Sequence, residues 1–223
     1  MFGQKNIFEE ALALYAGAHV VERIKKQKHS ALQRFSEQVQ LTLLVQDLKP
    51  FTTFNEKLSR EKLGQIQGDY MDGMSGCITD HGGVINHFRG DSVVAYWGPP
   101  EGDRVVAAVK RAKEIGQELT EKWREVLPGE MVPQHGIHAG RVLRGNFGAK
   151  NRLAYSIMGN EVNLTFRLCS SNSCYKTQSL CTGGFRILLS NPAELNFADD
   201  LVIKGRSEKV ALYTLEQAVR PQP

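Results

Sequence analysis

The sequence predicts an α/β (α+β) domain of ferredoxin-like build, with βαββαβ order, a layer sheet with helices on one face, and an N-terminal helical extension. Three observations lead there. The hydrophobic period alternates along the chain between strand-like and helix-like runs in the order β-α-β-β-α-β, followed by a further extension. Two short apolar runs, VINHF and VVAYW, flank the turn Arg89-Gly90-Asp91-Ser92, as an antiparallel hairpin requires. The 223 residues suit one large domain or one domain with an appendage, at roughly 150 residues per domain.

Each element has its own signal. Residues 7 to about 37 keep a helical period through Leu12, Tyr15, Ala18 or His19, Val21 or Glu22, and Ile24, and Lys25–Lys28 forms a short basic run. This stretch reads as a packing helix or a coupling helix to something upstream, and the basic run as a solvated face. QLTLLVQDL (40–48) is β-rich and ends at a polar turn, KPFTTF. Ser59–Asp80 puts Leu63, Ile66, Tyr70, Met74 and Ile78 on one helical face and stops at the glycines of HGG. After the hairpin, a second amphipathic helix runs from about 102 to 126, with Val105, Val109, Ala112, Leu119 and Trp123 inward. Past Pro128-Gly129, PQHGIHAG and RVLRGNFG read as two strands. Tyr155–Met158 is a strand, 160 to 169 a helix, SLCT (179–182) a short strand, and GGFRILLSN a turn and short helix. The end of the chain reads as a strand, a turn at Lys204–Lys209, and a last strand. Neither an internal repeat nor a low-complexity tract interrupts this order.

Composition excludes several classes. A net charge of +4 is too mild for a dedicated nucleic-acid binder, and 41% hydrophobic with 23% charged residues argues against wholesale disorder. The longest apolar stretches, such as Leu41–Val45, are strand-sized and far below the roughly 20 residues of a membrane span. Glu9 and Glu10 stand where a signal peptide needs its apolar stretch, so a cytoplasmic location is expected. Cys169, Cys174 and Cys181 are spaced C-x4-C-x6-C, which matches no usual zinc pairing; they read as free thiols.

Two carboxylates stand out. Asp47 ends an apolar strand before a turn, and Asp91 sits at the tip of the hairpin. Acidic groups at neighbouring strand ends can share hard divalent cations, as two-metal phosphoryl-transfer sites need; a lone aspartate there is more often a turn former or a helix cap. Asn163 and Arg167 are four apart and share one helix face.

Five blocks carry a resemblance: VQDLKPFTTF (45–54), GGVINHFRGDSVVAYWG (82–98), GIHAGRVLRGNFG (136–148), YSIMGNEVNLTFRL (155–168) and LVIKGRSEKVALYTL (201–215). In order and at suitable spacing, they resemble the catalytic domain of class III adenylate/guanylate cyclases. The resemblance covers about residues 39–216 and sets off a helical segment, 1–38, and a tail, 217–223. It implies cyclisation of a nucleoside triphosphate to its 3′,5′-cyclic monophosphate with release of pyrophosphate. It implies that Asp47 and Asp91, with the backbone carbonyl of Leu48, hold two Mg²⁺ or Mn²⁺ ions. Backbone amides of Phe51 and Thr52 would cradle phosphate oxygens, Asn163 would orient the ribose, Arg167 would meet the α-phosphate, and Lys204 the terminal phosphates. It further implies a head-to-tail homodimer in which one subunit supplies the aspartates and the other the Asn/Arg pair, the lysine and the purine contacts. An upstream sensor or regulatory domain is usual in such proteins.

The chain departs from the family at three places. The two purine-selecting positions carry His87 and Ser156, in place of the Lys with Asp or Thr common in adenylate enzymes, or the Glu with Cys or a small residue common in guanylate ones. A neutral imidazole and a hydroxyl can each donate or accept. The missing carboxylate favours ATP, with GTP as the alternative. Pro50 replaces the usual glycine and removes a backbone N–H. Cys169–Gln178 forms an unusual polar link, read as a flexible or redox-sensitive loop. The other reading is a non-catalytic cyclase-like module that binds nucleotide or dimerises. A diguanylate cyclase is disfavoured because no G-G-[DE]-E-F turn occurs.

Overall fold

The computed structural model describes residues 6–49, 51–99, 101–202 and 209–218. The expected N-terminal helix is two: α1 (Ile7–Ala16) and α2 (Ala18–Gln27), followed by a 3-10 turn at Lys28–Leu32. Gly17 separates them at φ 93°, ψ 145°, a left-handed-side conformation that ends one helix and redirects the chain. No residue of α1 is buried, whereas α2 buries Val21.

β1 (Phe35–Lys49) begins earlier than its apolar core because Phe35–Gln40 pairs with a later strand along its whole length. Pairing, not periodicity, defines that first part. The expected polar turn after β1 contains a short helix, α3 (Phe51–Lys57). α4 (Arg60–Asp80) starts where Ser59 Oγ accepts the Lys62 N–H at 3.3 Å, an N-cap that satisfies one orphan donor. Ile66, Tyr70, Met74 and Ile78 are all fully buried along it, as their spacing predicts. The hairpin β2 (Val84–Arg89) and β3 (Ser92–Trp97) turns through Gly90 and Asp91. α5 (Gly102–Lys122) buries Val105, Val109, Ala112 and Leu119 and stops just short of Trp123, whose indole N–H donates to Asp69 at 2.7 Å.

The two strands expected after Pro128-Gly129 are one continuous strand, β4 (Val132–Ala149). Its ladder with β1 runs unbroken through Gly140 opposite Leu41, so the glycine sits in the strand instead of ending it. β5 (Arg152–Met158) folds back on the far half of β4. α6 (Asn160–Tyr175) runs past its expected end at 169. The polar, cysteine-bearing segment is therefore mostly helix and not a loop: Leu168, Cys169, Asn172 and Tyr175 are buried, and the Asn172 amide donates to the His135 carbonyl at 2.9 Å. β6 (Ser179–Thr182), α7 (Gly183–Arg186), β7 (Asn196–Val202) and β8 (Lys209–Thr214) complete the chain.

The strands form one sheet in the order β2-β3-β1-β4-β6-β8-β7, with β5 also paired to β4. The segment β2-β3-β1-β4 is the ferredoxin-like arrangement. Side chains alternate across it. Leu44, Leu48, Val93, Ala95 and Trp97 meet α4 and α5 in the larger core, while Leu41, Leu43, Val45, Val94 and Tyr96 cluster with Val162, Phe166 and Cys169 of α6. Helices thus cover both faces, where the sequence suggested one. α6 lies very close to β4: a Cβ at Gly136 would come within 2.2 Å of the Thr165 carbonyl oxygen and 2.5 Å of the Cys169 nitrogen.

Candidate active site

β1 extends past the last paired residue of β3, Gln46 opposite Val93. Continued by one step, that register sets Asp47 beside Ser92, and Ser92 Oγ donates to Asp47 Oδ1 at 2.5 Å. One step further lies Asp91, whose carboxyl is close enough to Asp47 to feel its charge and to the backbone N–H groups of Leu48 and of Asp91 itself to be drawn down by them. The two aspartates, 44 residues apart in sequence, are therefore neighbours at the mouth of the hairpin. Burial is the main force holding the Asp91 carboxyl above its ordinary value; the Asp47 charge adds to it, against the two N–H donors.

Leu48 is buried and pairs with Pro133 of β4. Its N–H points to Asp91, on the side away from β4. A strand residue's N–H and C=O project to the same side, so the Leu48 carbonyl lies on the same open edge as the two carboxylates. Pro133, with no N–H to donate, costs nothing in that position. Beneath this edge the Tyr70 hydroxyl is fully buried and forced well up by burial, with the Asp47 charge second. The Gln46 side chain lies beside it and offsets part of that shift.

α6 carries Asn163 and Arg167 on its exposed side, four residues apart. The helix is held from below. His138 on β4 bonds through Nδ1 to Thr182 Oγ1 at 2.8 Å and through Nε2 to Glu161 Oε2 at 2.5 Å, fixing the first helical turn to the sheet. The Arg89 guanidinium sits 5.7 Å from the Phe166 ring centroid, linking the hairpin to the same helix. The Cys169 thiol is buried and donates to the Gln134 carbonyl; burial pushes it up, with the charge of Asp47 the next cause. A thiol so held is a poor nucleophile and redox centre. Of the four cysteines, all free, only Cys174 is exposed.

The purine-selecting candidates also converge. His87 on β2 and Ser156 on β5 are joined by Asn86, whose Nδ2 lies 2.6 Å from His87 Nδ1 and 3.1 Å from Ser156 Oγ. Burial, then the charge of Arg89, lowers the His87 pKa, which keeps the ring neutral at pH 7. Sequence reasoning missed Asn86, because strict strand alternation places it on the face opposite His87. It also missed Ser92 and the His138–Glu161 pair, which carry no sequence pattern. Phe51 and Thr52 open α3 directly after β1, where first-turn N–H groups lack intrahelical acceptors. Lys204 and Pro50 lie outside the described residues.

Do these groups suit a divalent cation? Among the described residues no three His, Cys, Asp or Glu side chains converge as a metal site. The carboxylate pair with an adjacent carbonyl does suit an ion that takes its remaining oxygens from substrate phosphates and water, as Mg²⁺ does.

No protein-family model matches the chain. It is 30% identical to adenylate cyclase 1 of Rhizobium meliloti over 213 residues, 93% of this chain and 32% of that protein. Among solved structures it superposes on the adenylyl cyclase CyaB from P. aeruginosa with a TM-score of 0.68 and 28% identity, covering 84% of this chain and 97% of that one. The chain belongs to the class III nucleotide cyclase catalytic domains. It is also similar to the guanylyl cyclase Cya2, with a TM-score of 0.67 and 25% identity over 84% of this chain and 95% of that one. Class III domains of both purine types thus share this fold. The chain spans about a third of the length of the Rhizobium relative it matches, and no helix among the described residues is long and apolar enough to cross a membrane.

Proposed function

We propose that this domain converts ATP to 3′,5′-cyclic AMP and pyrophosphate at a homodimer interface, with two Mg²⁺ or Mn²⁺ ions held by Asp47, Asp91 and the Leu48 carbonyl. The supporting observation is the Asp47–Asp91 pair itself. Two carboxylates held close together, one driven up by burial and by its neighbour, repel each other unless a cation or a proton joins them. When bound, the ions supply charge neutralisation of the triphosphate and acidify the ribose 3′-hydroxyl.

The chain's own groups do the rest. The Asn163 amide orients the ribose so that its 3′-oxygen faces the α-phosphorus, a positional gain that removes much of the entropic barrier. Arg167 meets the charge that grows on the α-phosphate as the 3′-oxygen bonds to phosphorus and the bond to pyrophosphate breaks. Backbone N–H groups of Phe51 and Thr52 receive phosphate oxygens, Lys204 the terminal ones, and His87 with Ser156 faces the base. The aspartates and the Asn/Arg pair come from different subunits, so two chains build two equivalent sites. The domain works in the cytoplasm, alone or as the output part of a larger signalling protein with an upstream sensor.

Similarity to Cya2 keeps GTP as the second substrate reading. One assay separates these from a non-catalytic module: the purified chain with Mn²⁺ and either ATP or GTP, with cyclic product measured by chromatography. Cyclic AMP formation is expected, and Asp47→Ala should lower it by about a hundredfold or more while the protein stays folded and dimeric. Absence of cyclic product from both nucleotides overturns the enzyme reading.

A further inference from the structure

β2 and β3 are out of step by one residue. Val84 pairs with Tyr96 and Ile85 with Ala95, but His87 pairs with Val94, so Asn86 is an extra residue in a β-bulge. A bulge breaks the alternation of side chains and re-aims the residue it inserts. Here it brings Asn86 to the same side as His87, in reach of Ser156 across on β5.

The hydrogen bonds fix what each group has left to offer. The Ser156 hydroxyl donates to the Ile157 carbonyl at 3.5 Å, so its oxygen accepts from Asn86 Nδ2. The other Nδ2 hydrogen meets His87 Nδ1, which must then be the unprotonated ring nitrogen, leaving Nε2–H as a donor. The remaining acceptor is Asn86 Oδ1: it is buried and has no hydrogen-bond partner among the described residues. Asn86 and His87 together line a cavity of about 550 Å³ between β5 and the N-terminal helices α1 and α2. A buried, unpaired carbonyl oxygen is costly unless a ligand supplies a donor.

We propose that Asn86 is a specificity-determining residue for the nucleotide base: its Oδ1 accepts the 6-amino group of adenine, while its Nδ2 sets His87 to donate to adenine N1. This rests on the cyclase reading above and deepens it. The wall offers one acceptor and one donor side by side. The adenine edge has one donor and one acceptor to match. The guanine edge has one acceptor and two donors, N1–H and the 2-amino group, and one of them would be left unpaired in a buried site.

Two arms test this, with kcat/KM measured for wild type and Asn86→Ala in Mn²⁺. In the first, ATP is compared with GTP: the variant should lose about tenfold or more on ATP and little on GTP. In the second, ATP is compared with purine riboside triphosphate, which lacks the 6-amino group. Wild type should prefer ATP, and Asn86→Ala should treat the two alike. The second arm, a ratio between substrates on one protein, reads the contact even if the variant is less stable. Equal losses on all nucleotides, or an unchanged ATP preference, overturn the role of Asn86 and leave the cyclase reading standing. A wild type that prefers GTP, with Asn86→Ala losing mainly GTP turnover, shows the amide presenting its donor and overturns the adenine assignment. No turnover by the wild type overturns the cyclase reading and with it this inference.

Discussion

Asp91 shows what a candidate metal-binding carboxyl costs at the level of one side chain. Its folded pKa lies above the ordinary 3.8, chiefly because it is partly buried and secondly because Asp47 is close. The fold therefore disfavours the ionised form. That penalty is absent below the unfolded value and complete once pH exceeds the folded one. Asp91→Asn should accordingly stabilise the protein at pH 7, and the gain should vanish below about pH 4, the ordinary carboxylate range. Half-exposure screens the effect to under about 1 kcal/mol, or at most about 2–4 °C in melting temperature. Mn²⁺ should raise the wild-type melting temperature and leave Asp91→Asn nearly unmoved. A destabilised Asp91→Asn at neutral pH would contradict the pairing. Asp47 and Asp91 were legible in the sequence because a strand end and a hairpin turn are both visible there. Asn86 was not, since a bulge depends on how two strands pair, and alternation along one strand conceals it.

At the level of elements, α6 depends on contact so close that only glycine fits beneath it. Gly136→Ala would force a Cβ into the Thr165 carbonyl and the Cys169 nitrogen, both backbone atoms that cannot rotate away. Overpacking of this kind costs about 1–3 kcal/mol, and because α6 carries Asn163 and Arg167, turnover should fall further than stability. Gly76→Ala, on α4 with nothing within 4 Å of its new Cβ, should instead add about 0.5–1 kcal/mol. Urea melts and steady-state rates on the two variants check both directions. Amphipathic helices such as α4 and α5 were readable from period alone, because burial of one face is written at every turn. The long β4, the start of β1 and the last turns of α6 were not. Their polar residues take strand or helix form from neighbours: β1 for β4, and the buried Asn172 and Tyr175 for α6. Gly17 gave a signal that periodicity overrode.

For the whole molecule the question is whether two chains share the work. If one subunit contributes Asp47 and the other Asn163, inactive Asp47→Ala and Asn163→Ala proteins should complement when refolded together. A one-to-one mixture gives half heterodimers, each with one intact site of two, hence about a quarter of wild-type activity. No recovery, with heterodimers shown to form, would place both sets of groups in one chain's site. The fold class was legible at this scale from element order, while the second helical layer was not, because Val94 and Tyr96 look like any alternating strand until α6 is laid over them. The bulge in β2 has a last consequence. With Asn86 in the role proposed for it, base preference is written partly in how many residues a strand contains. Exchanging side chains at His87 and Ser156 rewrites only part of it; removing a single residue between Ile85 and His87 would erase the rest, turning Asn86's successor into an ordinary member of an evenly matched hairpin.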